Sequence, residues 1–285
     1  MPALPGRPVT VEVQGRPLGV RQIDGPEGAP ILMLLHGWGV TSDVTWRWCY
    51  PLLGEHFGVL AMDLRGHGGS AATGRFSLEG CAQDAEAVAG RLGGGRPVIV
   101  AGYSMGGAVA QLLARRHPGS VEGLVLCATA ARFFPDTAAV ACERVAIRSL
   151  ESVLMRVPRA ARTRLLEHQV RRVTRVRRRP IDKWSYAQVC SGDAAAVAGA
   201  AAALRSFDSR PWLAKISVPT AIVAATGDTV VPRSAQEQLM SLLPGSEVGW
   251  VEGDHDVCVT APEQFSEALL RACDDITARA AAGPR

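Results

Sequence analysis

One serine, flanked by glycines at the end of an apolar run, constrains the possible fold of this chain more than any other feature. Ser104 lies in Gly102-Tyr103-Ser104-Met105-Gly106, which follows the apolar run Val98–Ala101 and precedes a segment with helical periodicity. A residue on a sharp strand-to-helix turn has a strained backbone, and neighbouring glycines avoid clashes that side chains would cause. Such a turn lifts the serine hydroxyl above the sheet and points the next helix N-terminus at developing negative charge. We therefore predict a strand, a tight turn that presents Ser104 as a nucleophile, and a helix.

Short apolar runs alternate with helical segments along most of the chain. The predicted strands are Val9–Val13, Leu18–Ile23, Ile31–Leu35, Val59–Met62, Val98–Ala101, Leu124–Leu126, Thr220–Ala224 and Glu247–Val251. Helical periodicity covers Leu78–Leu92, Gly106–His117, Ser234–Leu243 and Glu263–Ala278. This alternation predicts an α/β fold in which helices flank a mostly parallel, eight-stranded sheet.

Residues 131–209 break the alternation. This segment contains no clear buried strand, and Ala194–Ala203 within it has the composition of a helix. It is also rich in arginine: Arg156, Arg159, Arg162, Arg164, Arg171, Arg172, Arg175, Arg177, Arg178 and Arg179. We predict a helical cap inserted into a core formed by residues 1–130 and 210–285. Its arginines form either a solvated helix face or a surface that attracts an anionic substrate, a lipid head group or the phosphates of coenzyme A.

Charge and cysteine usage narrow the class of protein. A net charge of +4 over 285 residues is too small to indicate nucleic-acid binding. No stretch reaches the ~18 uncharged apolar residues of a membrane span, and the N-terminus lacks the pattern of a secretory signal. We therefore expect a cytoplasmic protein without an integral membrane segment.

The seven cysteines are scattered and form no Cys-x-x-Cys pair, which favours buried apolar thiols over disulfides or a zinc site.

A serine hydroxyl needs an adjacent base to act as a nucleophile at neutral pH. His255 follows the last predicted strand, whereas the other five histidines lie in glycine-rich loops, near helix ends or in the predicted cap. The acid that orients the base should leave a strand end between the serine and the histidine. Asp228 meets this requirement because it directly follows Thr220–Ala224. We predict Ser104 as nucleophile, His255 as base and Asp228 as its partner.

Acyl transfer also requires donors for the oxyanion. Two backbone N–H groups usually stabilise that charge, and losing one costs ~3 kcal/mol. Met105 follows the nucleophile, and Trp38 lies in His36-Gly37-Trp38-Gly39 directly after the strand Ile31–Leu35. We predict that the amides of Trp38 and Met105 form the oxyanion hole, and that His36 braces the loop.

These motifs, together with Asp63-Leu64-Arg65-Gly66-His67-Gly68-Gly69-Ser70, resemble the α/β-hydrolase superfamily over nearly the whole chain. Within it, the chain is similar to small bacterial carboxylesterases and lipase-like enzymes with a helical cap. The resemblance implies the catalytic and oxyanion-hole residues predicted above, no cofactor, and a structural role for the Asp63–Ser70 turn. Relatives that are dehalogenases or epoxide hydrolases use an aspartate where this chain has Ser104. Since no histidine–carboxylate cluster has ligand spacing, we expect no metal.

The predicted reaction is hydrolysis of a carboxylic ester of a small-molecule or lipid-like acyl substrate, through an acyl-enzyme. The same three residues would also serve a thioesterase, an acyltransferase, a lactonase or a C–C hydrolase. A non-catalytic binding protein on this fold is a further alternative, although such proteins usually lose part of the triad.

Overall fold

The core of the protein is a single twisted sheet. A computed structural model describes residues 3–72, 74–177 and 182–282. Its eight strands are β1 (Arg7–Val13), β2 (Arg16–Ile23), β3 (Ile31–Leu35), β4 (Gly58–Met62), β5 (Val98–Tyr103), β6 (Val121–Cys127), β7 (Thr220–Ala225) and β8 (Glu247–Val251). They lie in the order β1-β2-β4-β3-β5-β6-β7-β8. Strand β2 pairs antiparallel with β1 and β4, and the remaining pairs are parallel. The predicted sheet is confirmed.

Helices pack on both faces of this sheet and also form an insert between β6 and β7. In chain order they are α1 (Ser42–Trp46), α2 (Tyr50–Gly54), α3 (Leu78–Leu92), α4 (Met105–Arg116), α5 (Ala138–Leu154), α6 (Arg159–Arg177), α7 (Lys183–Cys190), α8 (Ala194–Leu204), α9 (Arg233–Leu242), α10 (Val257–Thr260) and α11 (Pro262–Ala281). Strand β3 shows the layering: Met33 and Leu35 join a core with α3 and α4, while Leu32 and Leu34 join a second core with α11. Burial on both faces explains why the central strands are continuous apolar runs.

Helices α5 to α8 lie between β6 and β7. The two ends of this insert meet where Arg132 forms an antiparallel bridge with Asp208. Just beyond the bridge, Ser209 N donates to Ala131 O at 2.8 Å, and Ser209 Oγ donates to Gln111 Oε1 at 2.6 Å. We propose that residues 131–209 are a cap on a core formed by 1–130 and 210–285. Of the predicted arginine run, Arg178 and Arg179 lie outside the described residues, as do the side chains of Arg175 and Arg177.

The cysteines divide into two groups. Cys49, Cys81, Cys127, Cys190, Cys258 and Cys273 are buried, as the sequence predicted, and all seven cysteines are free thiols. The prediction of burial is wrong for Cys142, which is exposed on α5 because the outer side of that helix faces solvent.

In the described part of the chain, no single helix is long and apolar enough to cross a membrane. Helices α7 and α8 together have the length and composition, but they are bent by 82° at the break between them. The cytoplasmic location stays a prediction.

Candidate active site

Ser104 occupies a strained turn between β5 and α4. Its φ angle is +51°, a region that residues with side chains rarely adopt. Two contacts hold this backbone: Ser104 N donates to Cys127 O at 2.9 Å, and Thr129 Oγ1 donates to Ser104 O at 2.8 Å. The turn also needs glycine at Gly106, because a Cβ there would lie 2.1 Å from Leu35 O. The predicted strand, turn and helix are present, and within the turn itself the strained non-glycine backbone falls on the residue that carries the hydroxyl.

His255 lies between Ser104 and Asp228. Its Nε2 is 2.9 Å from Ser104 Oγ, and its Nδ1 is 2.8 Å from Asp228 Oδ2. The second carboxylate oxygen, Asp228 Oδ1, accepts from the backbone N–H groups of Val230 and Val231 at 2.8 and 2.7 Å. One oxygen therefore anchors the buried carboxylate while the other accepts the Nδ1–H of the imidazole. With Nδ1 protonated, Nε2 has a free lone pair directed at the serine hydroxyl.

The backbone of His255 has its own contacts, which the sequence analysis missed. His255 N donates to Asp254 Oδ1 at 2.7 Å, and His255 O accepts a hydrogen bond from the hydroxyl of Tyr103. Tyr103 and His255 are 152 positions apart, so no local sequence pattern indicates that they are in contact. The position of Tyr103 beside the nucleophile was the only available hint.

The loop after β3 lies against the nucleophile turn. A Cβ built on Gly37 would be 3.6 Å from Ser104 Cβ, so the loop that carries Trp38 is adjacent to the serine. Trp38 is 48% exposed, and its Nε1 donates to Val197 O of α8 at 2.8 Å. Met105 is the first residue of α4, where backbone N–H groups have no partner within the helix. The oxyanion role of Trp38 and Met105 stays a prediction.

Two buried histidines brace this loop. His36 Nε2 accepts from Leu64 N at 2.8 Å while its Nδ1 donates to Gly37 O at 2.7 Å. His67 Nε2 accepts from Gly39 N at 3.3 Å and its Nδ1 donates to Arg65 O at 3.0 Å. Burial lowers the pKa of each imidazole to about 4, so both are neutral at pH 7. All four ring nitrogens are thus hydrogen-bonded to the backbone.

Within the described ranges, no group of three or more His, Cys, Asp or Glu could hold a metal ion.

The arginines of the insert fall into two sets. Some are engaged within the protein: Arg162 pairs with Asp193 at 3.0 Å, and Arg171 Nε donates to Tyr186 Oη at 2.8 Å. Within the predicted run, the exposed set consists of Arg156, Arg159, Arg164, Arg171 and Arg172, so Arg171 belongs to both sets, as does Arg156, whose Nη1 donates to Ser152 O at 2.8 Å. Among the arginines of the run whose side chains are described, Arg162 is the one that does not contribute to the exposed basic surface.

The strand order and the strained serine turn after β5 define an α/β hydrolase. A family model described as serine aminopeptidase, S33 (Hydrolase_4) matches residues 26–253, and the chain belongs to this family. It is an enzyme of the α/β-hydrolase fold.

Known relatives and solved structures agree with this placement. The chain is similar to a pimeloyl-(acyl-carrier protein) methyl ester esterase of Sodalis glossinidius, with 31% identity over 247 residues, 85% of this chain and 92% of the relative. A hydrolase from Pseudomonas aeruginosa superposes with a TM-score of 0.77 at 27% identity, covering 94% of this chain and 98% of the other. An enol-lactonase from Burkholderia xenovorans superposes with a TM-score of 0.73 at 23% identity, covering 93% and 100%, which is a likeness of fold.

Proposed function

We propose that the protein hydrolyses carboxylic esters, with Ser104 as nucleophile, His255 as general base and Asp228 as its orienting acid. The observation that carries the proposal is the pair of imidazole contacts, 2.9 Å to Ser104 Oγ and 2.8 Å to Asp228 Oδ2. Both distances fall within the ~2.6–3.2 Å over which a base takes a proton from a nucleophile.

The reaction proceeds in two halves. His255 Nε2 removes the proton from Ser104 as its oxygen attacks the ester carbonyl, and the amides of Trp38 and Met105 stabilise the tetrahedral oxyanion. His255 then protonates the departing alcohol, which leaves an acyl-enzyme on Ser104. Water gives a proton to the same imidazole as it attacks this ester, and the imidazolium returns that proton to Ser104 Oγ as the acid is released. The buried carboxylate of Asp228 stabilises the imidazolium that forms in each half.

Replacement of the nucleophile tests this proposal. The substitution Ser104→Ala should abolish turnover of a p-nitrophenyl ester while circular dichroism stays unchanged, because it removes only one hydroxyl. Ser241→Ala, at an exposed serine of α9, is the matched control and should retain full activity. A fluorophosphonate probe should label the wild type and the Ser241 variant but not Ser104→Ala. Undiminished hydrolysis by Ser104→Ala would refute the triad, and absence of labelling in the active wild type would contradict the serine mechanism.

The bond that is cleaved can be identified by a substrate panel. The name of the Sodalis relative specifies a methyl ester, which belongs to the bond class proposed here. Thioesters, lactones and C–C substrates remain alternatives because the same three groups catalyse their cleavage. Matched oxoesters and thioesters of graded acyl length, assayed with Ser104→Ala as blank, should show the highest kcat/KM for oxoesters. A thioester preference at every chain length would replace the ester proposal with a thioesterase.

We also propose that the substrate carries an anionic group which contacts the exposed arginines of the cap. The exposed set named above supplies cationic charge, and each such side chain contributes ~1 kcal/mol of attraction near an anionic surface. Reversing Arg164 and Arg172 together to Glu should raise KM for a carboxylated ester without changing kcat. KM for a neutral ester of equal length should stay constant, and added salt should reduce the difference. A double variant that keeps the wild-type KM for the carboxylated ester would leave these arginines as a solvated surface only.

A further inference from the structure

The main chain of His255 is linked by hydrogen bonds to a neighbour of each of its two partners, directly to Tyr103 and through the Asp254 carboxylate to Thr229. Its N–H donates to Asp254 Oδ1, and that oxygen also accepts from N and Oγ1 of Thr229 at 2.8 Å each. Thr229 directly follows Asp228. The carbonyl of His255 accepts from the hydroxyl of Tyr103, which directly precedes Ser104. The loop of the base is therefore connected separately to the segment of the acid and to that of the nucleophile.

Tyr103 is suited to hold this loop because it is rigid. Its side chain is buried, and its ring packs edge-on against Trp46 at 6.0 Å and Phe265 at 5.5 Å between centroids. Burial raises the pKa of its hydroxyl well above the ordinary value of 10, so the group keeps its proton and remains a donor. Tyr103 thus offers a fixed donor at the carbonyl of His255.

We propose that Tyr103 and Asp254 are positioning residues that fix the backbone of His255, so that its imidazole contacts Ser104 and Asp228 together. The inference rests on the proposed function. An imidazole that must contact two partners at once has few acceptable orientations, and its torsions cannot compensate for a displaced backbone. Misplacement of a reacting group by about 1 Å can cost on the order of 100-fold in rate. Neither residue touches the reacting atoms, so both act through the histidine.

Tyr103→Phe tests the first contact because it keeps the ring and removes the hydroxyl. For a p-nitrophenyl ester, kcat should fall about 10- to 100-fold while KM stays within about twofold. The matched control is Tyr50→Phe, since Tyr50 is also buried and donates its hydroxyl to Asp43 Oδ1 at 3.0 Å, away from His255. The control should keep the wild-type kcat. Wild-type kcat in Tyr103→Phe would overturn the role of Tyr103.

A spectroscopic measurement separates positioning from general stability. The proton between His255 Nδ1 and Asp228 should give a low-field resonance in the one-dimensional proton spectrum of the wild type. We expect it to persist in Tyr50→Phe and to broaden in Tyr103→Phe, because the imidazole no longer holds one orientation. A sharp resonance in Tyr103→Phe together with normal kcat would mean that Tyr103 only fills space.

The Asp254 contact provides a second test if Tyr103→Phe does not fold. Asp254→Ala removes the acceptor shared by His255 N and Thr229, whereas Asp254→Asn keeps an acceptor oxygen in the same place. We expect kcat to fall about tenfold in the alanine variant, with recovery in the asparagine variant. Equal activity of the two variants would overturn the role of Asp254.

Ser104→Ala distinguishes failure of this inference from failure of the proposed function. If Ser104→Ala retains turnover, the triad is wrong and both proposals fail. If Ser104→Ala is inactive while Tyr103→Phe and Asp254→Ala match the wild type, only the positioning role fails.

Discussion

The indole Nε1 of Trp38 donates to the carbonyl of Val197 at 2.8 Å, which joins the loop after β3 to helix α8 of the insert. The backbone amide of Trp38 is the proposed oxyanion donor, so the insert helps to set the position of that donor. A half-exposed tryptophan with a satisfied N–H is well suited to connect two surfaces in this way.

Trp38→Phe should therefore lower kcat by about 3- to 10-fold, because an oxyanion donor that loses its fixed position stabilises the transition state less. The measurement is steady-state kinetics with a p-nitrophenyl ester. Trp48→Phe is the control, since Trp48 is also 48% exposed, and its kcat should stay normal. Equal losses in the two variants would point to a general effect of removing a surface indole.

Asp228→Asn should reduce kcat by about 10³- to 10⁴-fold at pH 7. The amide cannot stabilise the imidazolium as a carboxylate does, and its NH₂ group favours the wrong histidine tautomer. Circular dichroism should show an intact fold, although the melting temperature should fall because Val230 N and Val231 N lose a charged acceptor. A loss of less than tenfold in kcat would show that another group orients His255.

Stability should decrease as the solution is acidified from pH 6.5 towards pH 4. The pKa values of His36 and His67 are about 4 in the fold, below the ordinary value of 6.5, so the unfolded chain takes up protons first. The contribution of the two neutral histidines to the free energy of unfolding is complete above pH 6.5. It is lost as the pH falls from 6.5 to about 4, by roughly 2–4 kcal/mol per histidine. Urea unfolding at a series of pH values measures it. The free energy of unfolding of His36→Gln should depend less steeply on pH than that of the wild type. The control His56→Gln, at an exposed histidine, should show the wild-type dependence.

Gly106→Ala should prevent correct folding or destabilise the protein by several kcal/mol, on the order of severe overpacking. The added Cβ would meet the backbone oxygen of Leu35 at 2.1 Å, which no side-chain rotation can relieve. Gly90→Ala is the matched control, because nothing lies within 4 Å of its Cβ position in the exposed part of α3. That variant should gain about 0.5–1 kcal/mol in the free energy of unfolding. Chemical denaturation of both variants gives the comparison.

The sheet could be predicted because strands that are buried on both faces appear in the sequence as continuous apolar runs. Each of the eight predicted strands lies within the corresponding observed strand, and α3 has the predicted bounds. Helices α1, α2 and α10 were not predicted. They contain five, five and four residues, which is too short for an amphipathic period to appear.

The predicted site residues could be brought together by topology alone. Ser104, Asp228 and His255 each follow a parallel strand, and the carboxyl ends of parallel strands share one edge of the sheet. The hydroxyl of Tyr103 on the His255 carbonyl and the indole of Trp38 on Val197 could not be predicted in this way. Each contact depends on side-chain direction between segments more than 150 residues apart.

The bridge between Arg132 and Asp208 has a consequence for how such an enzyme diversifies. Because the inserted helices leave and rejoin the chain at adjacent points, their number and length can change without displacing β6 or β7. Evolution can therefore exchange the proposed cap while the strands that lead to the proposed reacting groups are inherited unaltered. Grafting a shorter or longer set of helices between these two positions offers the same freedom to the protein engineer.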